Sequence, residues 1–459
     1  MSSVDTTTLR LSDTVGTVSA SCLWLVWSGL GAAPPLRLGD GPQVLGRGSE
    51  GDGRLEFPGV SRVHAELFRQ GPLHAVRDLG STNGTFLNGQ RLTSPSALSP
   101  GDVLRLGDAV AVAVARQLDQ SPPGAEEVLP GLLFGPGMAA LRDVIRRVAR
   151  ETLPVMLEGP TGAGKEGIAR LLHVESGRPG VLQAVNCGAL PPALAEAELF
   201  GYRKGAFTGA EQAALGHVRA SSGGTLFLDE LYDLAPSVQA KLLRVIQEQQ
   251  VVPLGETRPI PVDLRLVAAS PVPIRQLVDS GRLREDLAAR LSGIVLSVPP
   301  LDERRADIPI LFRHFLSRYS GGRAPGVDGR LLEHLLLRPW PGNVRELELL
   351  ARRLLALNGT ETVLRKSHVD AEPQAPKAVS VPAPKRALPE QGDDDLRRLR
   401  QALAGHGNLS RAAREAGISR QRAYRLLGDR SPAELLAEPG LEAQTELGTG
   451  ACEPARKSE

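Results

Sequence analysis

The sequence predicts a multidomain fold, with an all-β sandwich first, an α/β domain in the middle and an all-α helix pair last. Short apolar runs alternate with polar residues between residues 23 and 115, which is the period of half-buried strands. An apolar run at Val155 leads into a glycine-rich loop and a helical pattern, as in an α/β unit. Leucines spaced three or four residues apart, from Leu396 to Leu403, predict a helix near the C-terminus.

Length, charge and cysteine content narrow the class of protein. A chain of 459 residues is too long for one core and fits about three domains. The formal net charge is only +2, but residues 396–430 hold nine arginines and two acidic residues, so we expect a nucleic-acid partner there. Cys22, Cys187 and Cys452 are far apart, which predicts free thiols in a reducing, cytoplasmic compartment. The apolar stretch at residues 22–30 is too short for a membrane span, so no membrane partner is expected.

Three separated pieces of sequence predict the chemistry of the first domain. They are Leu45-Gly-Arg47, Ser61-Arg-Val-His64 and Asp78-Leu-Gly-Ser-Thr-Asn-Gly-Thr85. A phosphate dianion binds best to a guanidinium together with hydroxyl and amide donors on loops held by a rigid scaffold. Asn83-Gly84 and Asn88-Gly89 also favour tight hairpins, because both residue types tolerate positive φ. The alternative is that Arg47 is a solvated surface charge and the Asn-Gly pairs only close turns.

Together these pieces resemble the forkhead-associated (FHA) domain over about 90 residues. The resemblance implies that a phosphothreonine peptide is bound, and that the partner is a phosphothreonine-containing protein or a Ser/Thr kinase. The implied phosphopeptide-binding residues are Arg47, Ser61, Arg62, Thr82 and Asn83. Among them Arg47 and Ser61 would hold the phosphate, and His64 would brace the loops.

The second domain carries a phosphate-binding loop between a strand and a helix. The loop residues are Gly159, Pro160, Thr161, Gly162, Ala163, Gly164, Lys165 and Glu166. Its glycines allow backbone N–H groups to close around phosphate, and Lys165 can reach the outer phosphates of ATP. Glu166 stands where a generic loop of this kind has Ser or Thr to hold Mg²⁺.

A second apolar strand of this domain ends in two carboxylates, Asp229 and Glu230. Asp229 is the predicted Mg²⁺-binding residue, and Glu230 is the predicted group that polarises the attacking water. The alternative is a buried strand with a solvated acidic end.

Six pieces between residues 132 and 369 resemble the AAA+ domain of sigma-54-dependent activators, the bacterial enhancer-binding proteins. The pieces are Gly159–Glu166, Glu198–Ala210, Gly223–Glu230, Arg284–Arg290, Pro299–Arg304 and Trp340–Leu347. The Lys165-Glu166 ending of the loop is usual in that family. The resemblance implies a P-loop fold with a helical lid, and contact with sigma-54 RNA polymerase holoenzyme. The implied sigma-contact residues are Gly205, Ala206, Phe207, Thr208, Gly209 and Ala210.

The same resemblance implies the catalytic roles. Asn186 would hold Glu230 as a nucleotide-dependent switch. Arg284 and Arg290 would be arginine fingers for a neighbouring subunit, and Arg345 would be a sensor on the lid. Because hydrolysis then needs the next protomer, a homo-oligomer follows, normally a hexamer in this family. The alternatives are that the two arginines are solvated charges and that the loop at residues 205–210 is a buried turn anchored by its phenylalanine.

Three positions depart from the family pattern. Ser270-Pro271 stands where Thr-Asn is common, and proline cannot replace the polar side chain of that asparagine. Val218-Arg219 stands where Phe-Glu is frequent, and Asp302 replaces a usual arginine. These departures leave two alternatives to an active motor. One is a hydrolysis-impaired, nucleotide-gated DNA-binding and phosphopeptide-binding scaffold, and the other is a phosphopeptide adaptor whose motor only oligomerises.

The C-terminal segment resembles a helix-turn-helix of the Fis type. Gly417 makes the turn between two short helices, and Ser419 can cap the second. The predicted DNA-binding residues are Ser419, Arg420, Gln421, Arg422, Tyr424 and Arg425. Arg and Gln at such positions reach base edges or phosphates of upstream DNA in the major groove. The alternative is a plain solvated helical hairpin.

The sequence thus predicts an FHA-regulated, ATP-dependent activator of sigma-54 RNA polymerase that binds DNA and remodels the closed promoter complex. Two Pro-rich, Ala-rich and Gly-rich stretches predict linkers between the domains. The predicted boundaries are a disordered N-terminus at 1–18, an FHA domain at 19–117, a linker at 118–130, an AAA+ α/β subdomain at 131–303, a helical lid at 304–370, a linker at 371–392, a helix-turn-helix at 393–430 and a disordered tail at 431–459.

Overall fold

The computed structural model describes residues 21–117 and 120–370, and beyond these only Leu399, Ala402 and Glu415. The chain divides into two compact units, Met1–Ala371 and Glu372–Glu459. Apart from these three residues, the predicted helix-turn-helix lies outside the described part of the chain, and so do its predicted DNA-binding residues and Cys452.

Ten strands form the N-terminal β sandwich. They are β1 (Ser21–Ser28), β2 (Leu36–Arg37), β3 (Gln43–Leu45), β4 (Ala65–Gln70), β5 (Leu73–Asp78), β6 (Thr85–Leu87), β7 (Gln90–Arg91), β8 (Ser96–Leu98), β9 (Val103–Leu106) and β10 (Ala109–Gln117). One sheet has the order β2-β1-β10-β9-β6-β7 and the other has the order β3-β4-β5-β8. Apolar residues from both sheets, with Phe57 and Leu55 from a loop, fill the space between them. The all-β fold predicted from the alternating pattern is therefore present.

The two Asn-Gly dipeptides behave differently. Asn88 and Gly89 have φ values of 50° and 80°, and they close the β6–β7 hairpin as the sequence predicts. At the other dipeptide only Gly84 has positive φ. Asn83 therefore does not form the predicted tight hairpin turn, and its side chain instead donates a hydrogen bond to the Gly59 carbonyl at 2.7 Å.

The α/β domain contains a parallel sheet with helices on both faces. Its elements are β11 (Glu126–Leu129), β12 (Leu132–Phe134), α1 (Ala139–Val148), β13 (Val155–Glu158), α2 (Lys165–Ser176), β14 (Leu182–Asn186), α3 (Ala195–Phe200), α4 (His217–Ala220), β15 (Thr225–Asp229), α5 (Pro236–Glu248), β16 (Gln250–Val251), β17 (Ile260–Pro261), β18 (Arg265–Ser270), α6 (Ile274–Asp279), α7 (Glu285–Leu291) and β19 (Ile294–Ser297). The sheet order is β14-β15-β18-β13-β19, and all four strand pairs are parallel. This order brings the carboxyl ends of β13 and β15 to one edge, with β18 between them.

The helical lid follows the α/β domain. It contains α8 (Ile308–Tyr319), β20 (Gly326–Val327), α9 (Gly329–Leu337), α10 (Asn343–Asn358), β21 (Val363–Leu364) and α11 (Lys366–Asp370). Asp328 caps α9, because its side chain accepts a hydrogen bond from the Leu331 amide at 2.7 Å. Apolar residues of α8, α9 and α10 pack around the buried Trp340.

Strand β9 and residues 109–113 of β10 are buried on both faces, whereas the alternating pattern predicts strands with one face in water. Ala109, Ala111 and Ala113 of β10 pack in the sandwich core, and Val110 and Val112 on the opposite face pack in the core of the lid. Val103 of β9 joins the same cluster. The prediction of half-buried strands fails here because the helical lid covers the outer face of the sandwich.

A buried ion pair crosses this contact. The Arg105 Nε atom donates to Glu333 Oε2 at 2.7 Å, and both side chains are about nine-tenths buried. The Arg105 guanidinium also lies 3.8 Å from the centre of the Phe86 ring. Since a buried charge is costly without a partner, this pair fixes the relative position of sandwich and lid.

Within the described residues, no helix is both long enough and apolar enough to cross a membrane.

Replacing Glu333 by Ala is expected to lower the free energy of unfolding by about 3–5 kcal/mol, because Arg105 would remain buried without its partner. The measurement is urea-induced unfolding of the protein followed by circular dichroism. Glu361→Ala, an exposed lid substitution, serves as the control and should change stability by about 0.5 kcal/mol or less. Equal stability of the two variants would contradict the structural role of the ion pair.

Candidate functional sites

The phosphate-binding loop connects β13 to α2. Gly162 and Gly164 have φ values of 79° and 105°, which side chains rarely adopt, so the glycines are required by the shape of the loop. The Lys165 ammonium donates to the Gly159 carbonyl at 2.7 Å and to the Pro160 carbonyl at 3.1 Å. Burial lowers the pKa of Lys165 from its ordinary value. Its charge is therefore held in a partly desolvated position beside the loop, where an anion would stabilise it.

The predicted acidic pair lies at the end of β15. Burial raises the pKa of Asp229, and the nearby Lys165 charge only partly offsets this effect. Glu230 has a φ of 54°, which is an uncommon conformation for a residue other than glycine, and its amide donates to Asp229 Oδ1 at 3.1 Å. Mg²⁺ that is bound with a nucleotide needs only one or two carboxylates besides phosphate and water, so this pair fits that ion. Within the described ranges, no group of three or more acidic, His or Cys side chains could hold a metal by itself.

A cavity of about 450 Å³ contains most of the predicted nucleotide-site residues. Strand ends supply the acidic pair and Asn186, and α10 of the lid supplies Arg345. The residues that line this cavity include Thr161, Gly162, Gly164, Lys165, Glu166, Asn186, Asp229, Glu230, Pro271 and Arg345. Chain segments far apart in sequence thus meet where a nucleotide with its cation fits between α/β domain and lid.

Asn186 lies near Glu230, but its side-chain oxygen accepts a hydrogen bond from the Ala189 amide at 3.2 Å. Gly188 lies between the two side chains, since a Cβ atom there would be 2.8 Å from Glu230 Oε2 and 3.3 Å from Asn186 Oδ1. A switch contact between Asn186 and Glu230 stays a prediction.

Three donors of the lid bind three consecutive carbonyls of the phosphate-binding loop. Asn343 Nδ2 donates to Thr161 at 3.0 Å, the Val344 amide donates to Gly162 at 3.0 Å, and buried Arg304 donates to Ala163 at 2.7 Å. These bonds join the lid to the carbonyl groups of the phosphate-binding loop. Sequence reasoning assigned no role to Arg304 or Asn343, although both lie in quoted family motifs.

Arg284 and Arg290 do not line this cavity. Both are exposed, and Arg284 forms a fork with Asp286 at 3.0 and 2.7 Å. The Asp286 carboxylate raises the pKa of Arg284, which therefore stays charged. The structure places both guanidiniums on the surface at α7, where another subunit could meet them.

The predicted sigma-contact loop is a compact turn. The Gly205 amide donates to the Ala210 carbonyl at 2.8 Å, and the Phe207 ring packs edge-on against Tyr202 with centroids 5.0 Å apart. Thr208 is exposed at the tip, and Phe207 is about one-third exposed. The turn is therefore not buried, although its phenylalanine is anchored on one side.

Two of the three departures from the family pattern have structural explanations. Asp302 accepts a hydrogen bond from the Trp340 amide at 3.1 Å and so fixes the turn before α10. Val218 is fully buried in the core beside the parallel sheet. Pro271 lines the nucleotide cavity and contributes no side-chain hydrogen bond there.

The five predicted phosphopeptide-binding residues lie on adjoining loops of the sandwich. The Arg47 amide donates to the Ser61 carbonyl at 2.9 Å, and the Thr82 amide donates to Ser61 Oγ at 3.1 Å. The side chains of Arg47, Arg62, Thr82 and Asn83 belong to exposed residues. Two guanidiniums, two hydroxyls and an amide therefore share one solvent-facing surface that suits a phosphate group.

His64 and Asp78 hold these loops from beneath. The buried His64 ring accepts from the Ser61 amide at Nδ1 (3.0 Å), so Nε2 carries the proton and donates to the Gly84 carbonyl at 3.3 Å. Burial lowers the pKa of His64, which favours this neutral ring. Asp78 accepts hydrogen bonds from Gly80, Ser81 and Thr85. Although burial opposes its ionised form, these bonds hold the pKa of Asp78 below its ordinary value.

Three family models match the chain. They are described as Sigma-54 interaction domain (residues 134–297), FHA domain (44–107) and AAA+ ATPase lid domain (302–384). The transcriptional regulatory protein ZraR of Klebsiella oxytoca is 38% identical over 70% of this chain and 73% of its own length. The chain therefore belongs to the family of transcriptional regulators that carry the sigma-54 interaction domain. The β sandwich, the AAA+ domain and the lid predicted from the sequence are confirmed.

Other relatives share less of their length with this chain. The C4-dicarboxylate transport transcriptional regulatory protein DctD of Rhizobium meliloti (strain 1021) is 40% identical over 67% of this chain and 66% of its own length. Among solved structures, NtrX from Brucella abortus in complex with ADP has 31% identity, covers 63% of this chain and 67% of its own, and has a TM-score of 0.48. The chain spans between about half and three quarters of the length of the curated relatives it matches.

Asp78→Asn is expected to destabilise the sandwich above pH 4 by about 1 kcal/mol or more, because both carboxylate oxygens accept hydrogen bonds and asparagine keeps only one acceptor oxygen. The folded-state pKa of Asp78 is lowered, so its stabilisation is present above its ordinary pKa of 3.8 and is lost as the pH falls through the lower value. Thermal unfolding of wild type and variant between pH 6 and pH 3 measures this difference. A difference that does not shrink at low pH would contradict the role of the carboxylate.

Proposed function

We propose that this protein is an FHA-regulated, ATP-dependent activator of sigma-54 RNA polymerase that binds upstream DNA and remodels the closed promoter complex. The observation that carries the proposal is the cavity in which phosphate-binding loop, Asp229, Glu230 and Arg345 meet. The family membership supports the class of regulator. The ligand, the oligomer and the partners are part of the proposal.

ATP is the proposed substrate of the cavity. The loop amides and Lys165 bind its phosphates. Asp229 would hold Mg²⁺, which would supply positive charge beside the transferred group. Glu230 orients a water molecule for attack on the γ-phosphorus. The water gives up a proton to Glu230 as its oxygen bonds to the γ-phosphorus, the bond from this phosphorus to the β-phosphate oxygen breaks, and ADP and phosphate leave. Arg345 contacts the nucleotide from the lid and reports which one is bound.

Arg284 and Arg290 complete the site of a neighbouring subunit. Both are exposed and lie outside their own chain's cavity, which is the geometry that a residue acting on another protomer requires. Their charge stabilises the negative charge that spreads over the γ-phosphate in the transition state. Hydrolysis is therefore slow in monomers, and a ring, with six subunits in this proposal, is the active form.

The exposed turn at residues 205–210 contacts sigma-54. Its tip presents Phe207 and Thr208 between glycines with positive φ, Gly205 and Gly209. Such glycines allow the tip to change position with the nucleotide state at little conformational cost. The FHA surface binds a phosphothreonine segment of a partner protein or kinase, and the C-terminal helix pair binds DNA.

A specific observation favours one alternative. Pro271 lines the nucleotide cavity where the family commonly has an asparagine near the γ-phosphate. Without that polar contact the protein could serve as a hydrolysis-impaired, nucleotide-gated scaffold that binds DNA and phosphopeptide.

Reconstituted open-complex formation with sigma-54 holoenzyme separates these functions. We expect wild type with Mg-ATP to open the promoter, Lys165→Ala to lose both hydrolysis and opening, and Thr208→Ala to hydrolyse ATP without opening. Thr360→Ala, an exposed lid substitution, is the matched control and should behave as wild type. Hydrolysis by wild type at the Lys165→Ala rate would reject the motor and favour the scaffold.

Subunit mixing tests whether Arg290 acts on the nucleotide site of a neighbouring subunit. Lys165→Ala and Arg290→Ala are each expected to hydrolyse ATP at background rate. Mixed in equal amounts, they should recover activity, because roughly a quarter of the sites in random rings join an intact loop to an intact arginine. Steady-state phosphate release measures this recovery. Mixing Arg290→Ala with the double variant Lys165→Ala/Arg290→Ala is the control, and recovery there, or none in the first mixture, would exclude action across subunits.

A further inference from the structure

One face of α9 is covered by the β sandwich along its whole length. Gly329, Glu333 and Leu337 are spaced four residues apart and so lie on one side of the helix. The Gly329 amide donates to Asp108 Oδ1 at 3.1 Å, Glu333 pairs with Arg105, and Leu337 lies against the β6–β7 turn. A Cβ atom on Gly329 would lie 2.6 Å from Asp108 Cα, so the first turn of α9 packs directly on the sandwich backbone.

Asp108 also contacts the phosphopeptide loops. Its amide donates to the Pro58 carbonyl at 2.9 Å, and the next carbonyl, of Gly59, accepts from Asn83 Nδ2 at 2.7 Å. There is no free space at this point, because a Cβ atom on Gly107 would lie 2.5 Å from the Gly59 carbonyl carbon. The loop at residues 58–60 is thus held between Asn83 on one side and Asp108 on the other.

The other end of α9 leads to the nucleotide cavity. Trp340 Nε1 donates to the Leu335 carbonyl at 2.9 Å, which ties the end of α9 to the turn before α10. That turn leads to Asn343, which binds the phosphate-binding loop, and to Arg345, which lines the cavity. A shift of α9 is therefore transmitted to both groups through direct contacts.

We infer that Asn83 and Asp108 form a relay by which phosphopeptide binding at the sandwich and nucleotide binding at the lid change each other's affinity. The inference rests on the proposed function and adds a route for its regulation. Without peptide, Asn83 is bound to Gly59 and holds the loop against Asp108. A phosphothreonine peptide that accepts a hydrogen bond from the Asn83 amide group releases the loop at residues 58–60. The contact between α9 and the sandwich then has two states, one with the loop held against Asp108 and one with the loop released. The peptide and the nucleotide each change the balance between these two states. By linkage, the two effects on affinity are equal.

Peptide binding to the full-length protein tests the relay. The probe is a fluorescent nonamer library with a central phosphothreonine, measured by anisotropy with and without Mg-ADP. We expect the dissociation constant of wild type to differ by about fivefold or more between the two conditions. Asp108→Ala, which removes the acceptor of the Gly329 amide, should reduce the difference to less than about twofold. Asp108→Asn keeps a side-chain oxygen acceptor and should retain the difference between the two dissociation constants. Equal constants in wild type, or the full difference in Asp108→Ala, would overturn the relay.

A second measurement needs no peptide. Asn83→Ala frees the Gly59 carbonyl as a bound peptide would, so Asn83→Ala and Asp108→Ala should both change the ADP dissociation constant by about fivefold or more. Asp52→Ala, an exposed sandwich substitution away from α9, is the control and should leave it unchanged. Unchanged ADP binding in folded Asn83→Ala and Asp108→Ala would overturn the relay. The FHA site is tested separately: unchanged peptide binding in Arg47→Ala would reject it. The ADP measurement uses no peptide, so it tests the relay without depending on that result.

Discussion

The packing of the lid against the outer face of β9 and β10 is the contact on which the arrangement of this molecule depends. Val110 and Val112 leave water there, and the Arg105–Glu333 pair fixes the register of the two surfaces. Burial of apolar surface supplies the attraction, whereas the ion pair penalises any other alignment, because each charge would then lack its partner. The sandwich is consequently held in one alignment against the lid.

The lid in turn is bonded to three carbonyls of the phosphate-binding loop. Arg304 and Asn343 supply two of the donors through their side chains, and Val344 supplies the third through its amide. The position of the loop therefore depends on the position of the lid. Sandwich, lid and loop therefore form one continuous series of contacts.

Much of the fold and of each site could be predicted from local sequence, because strands, glycine loops and acidic strand ends have local signatures. The loop at residues 159–166 and the acids at 229 and 230 meet as expected in one cavity. The two faces of β10 could not be predicted, since an alternating pattern gives the period of a strand but does not tell which surface a distant helix covers. The hairpin turn predicted at Asn83-Gly84 is wrong for a related reason. The turn preference of Asn-Gly is a local property, whereas the hydrogen bond from Asn83 to Gly59 is a tertiary contact.

The burial of Val110 and Val112 also limits how freely such a protein can exchange its parts during evolution. A regulator assembled from loosely tethered modules could replace its N-terminal domain by a single recombination event. Here the lid would be left with an exposed apolar strip and with Glu333 lacking its partner Arg105. Substitutions on the two sides of this contact therefore have to be compatible with each other.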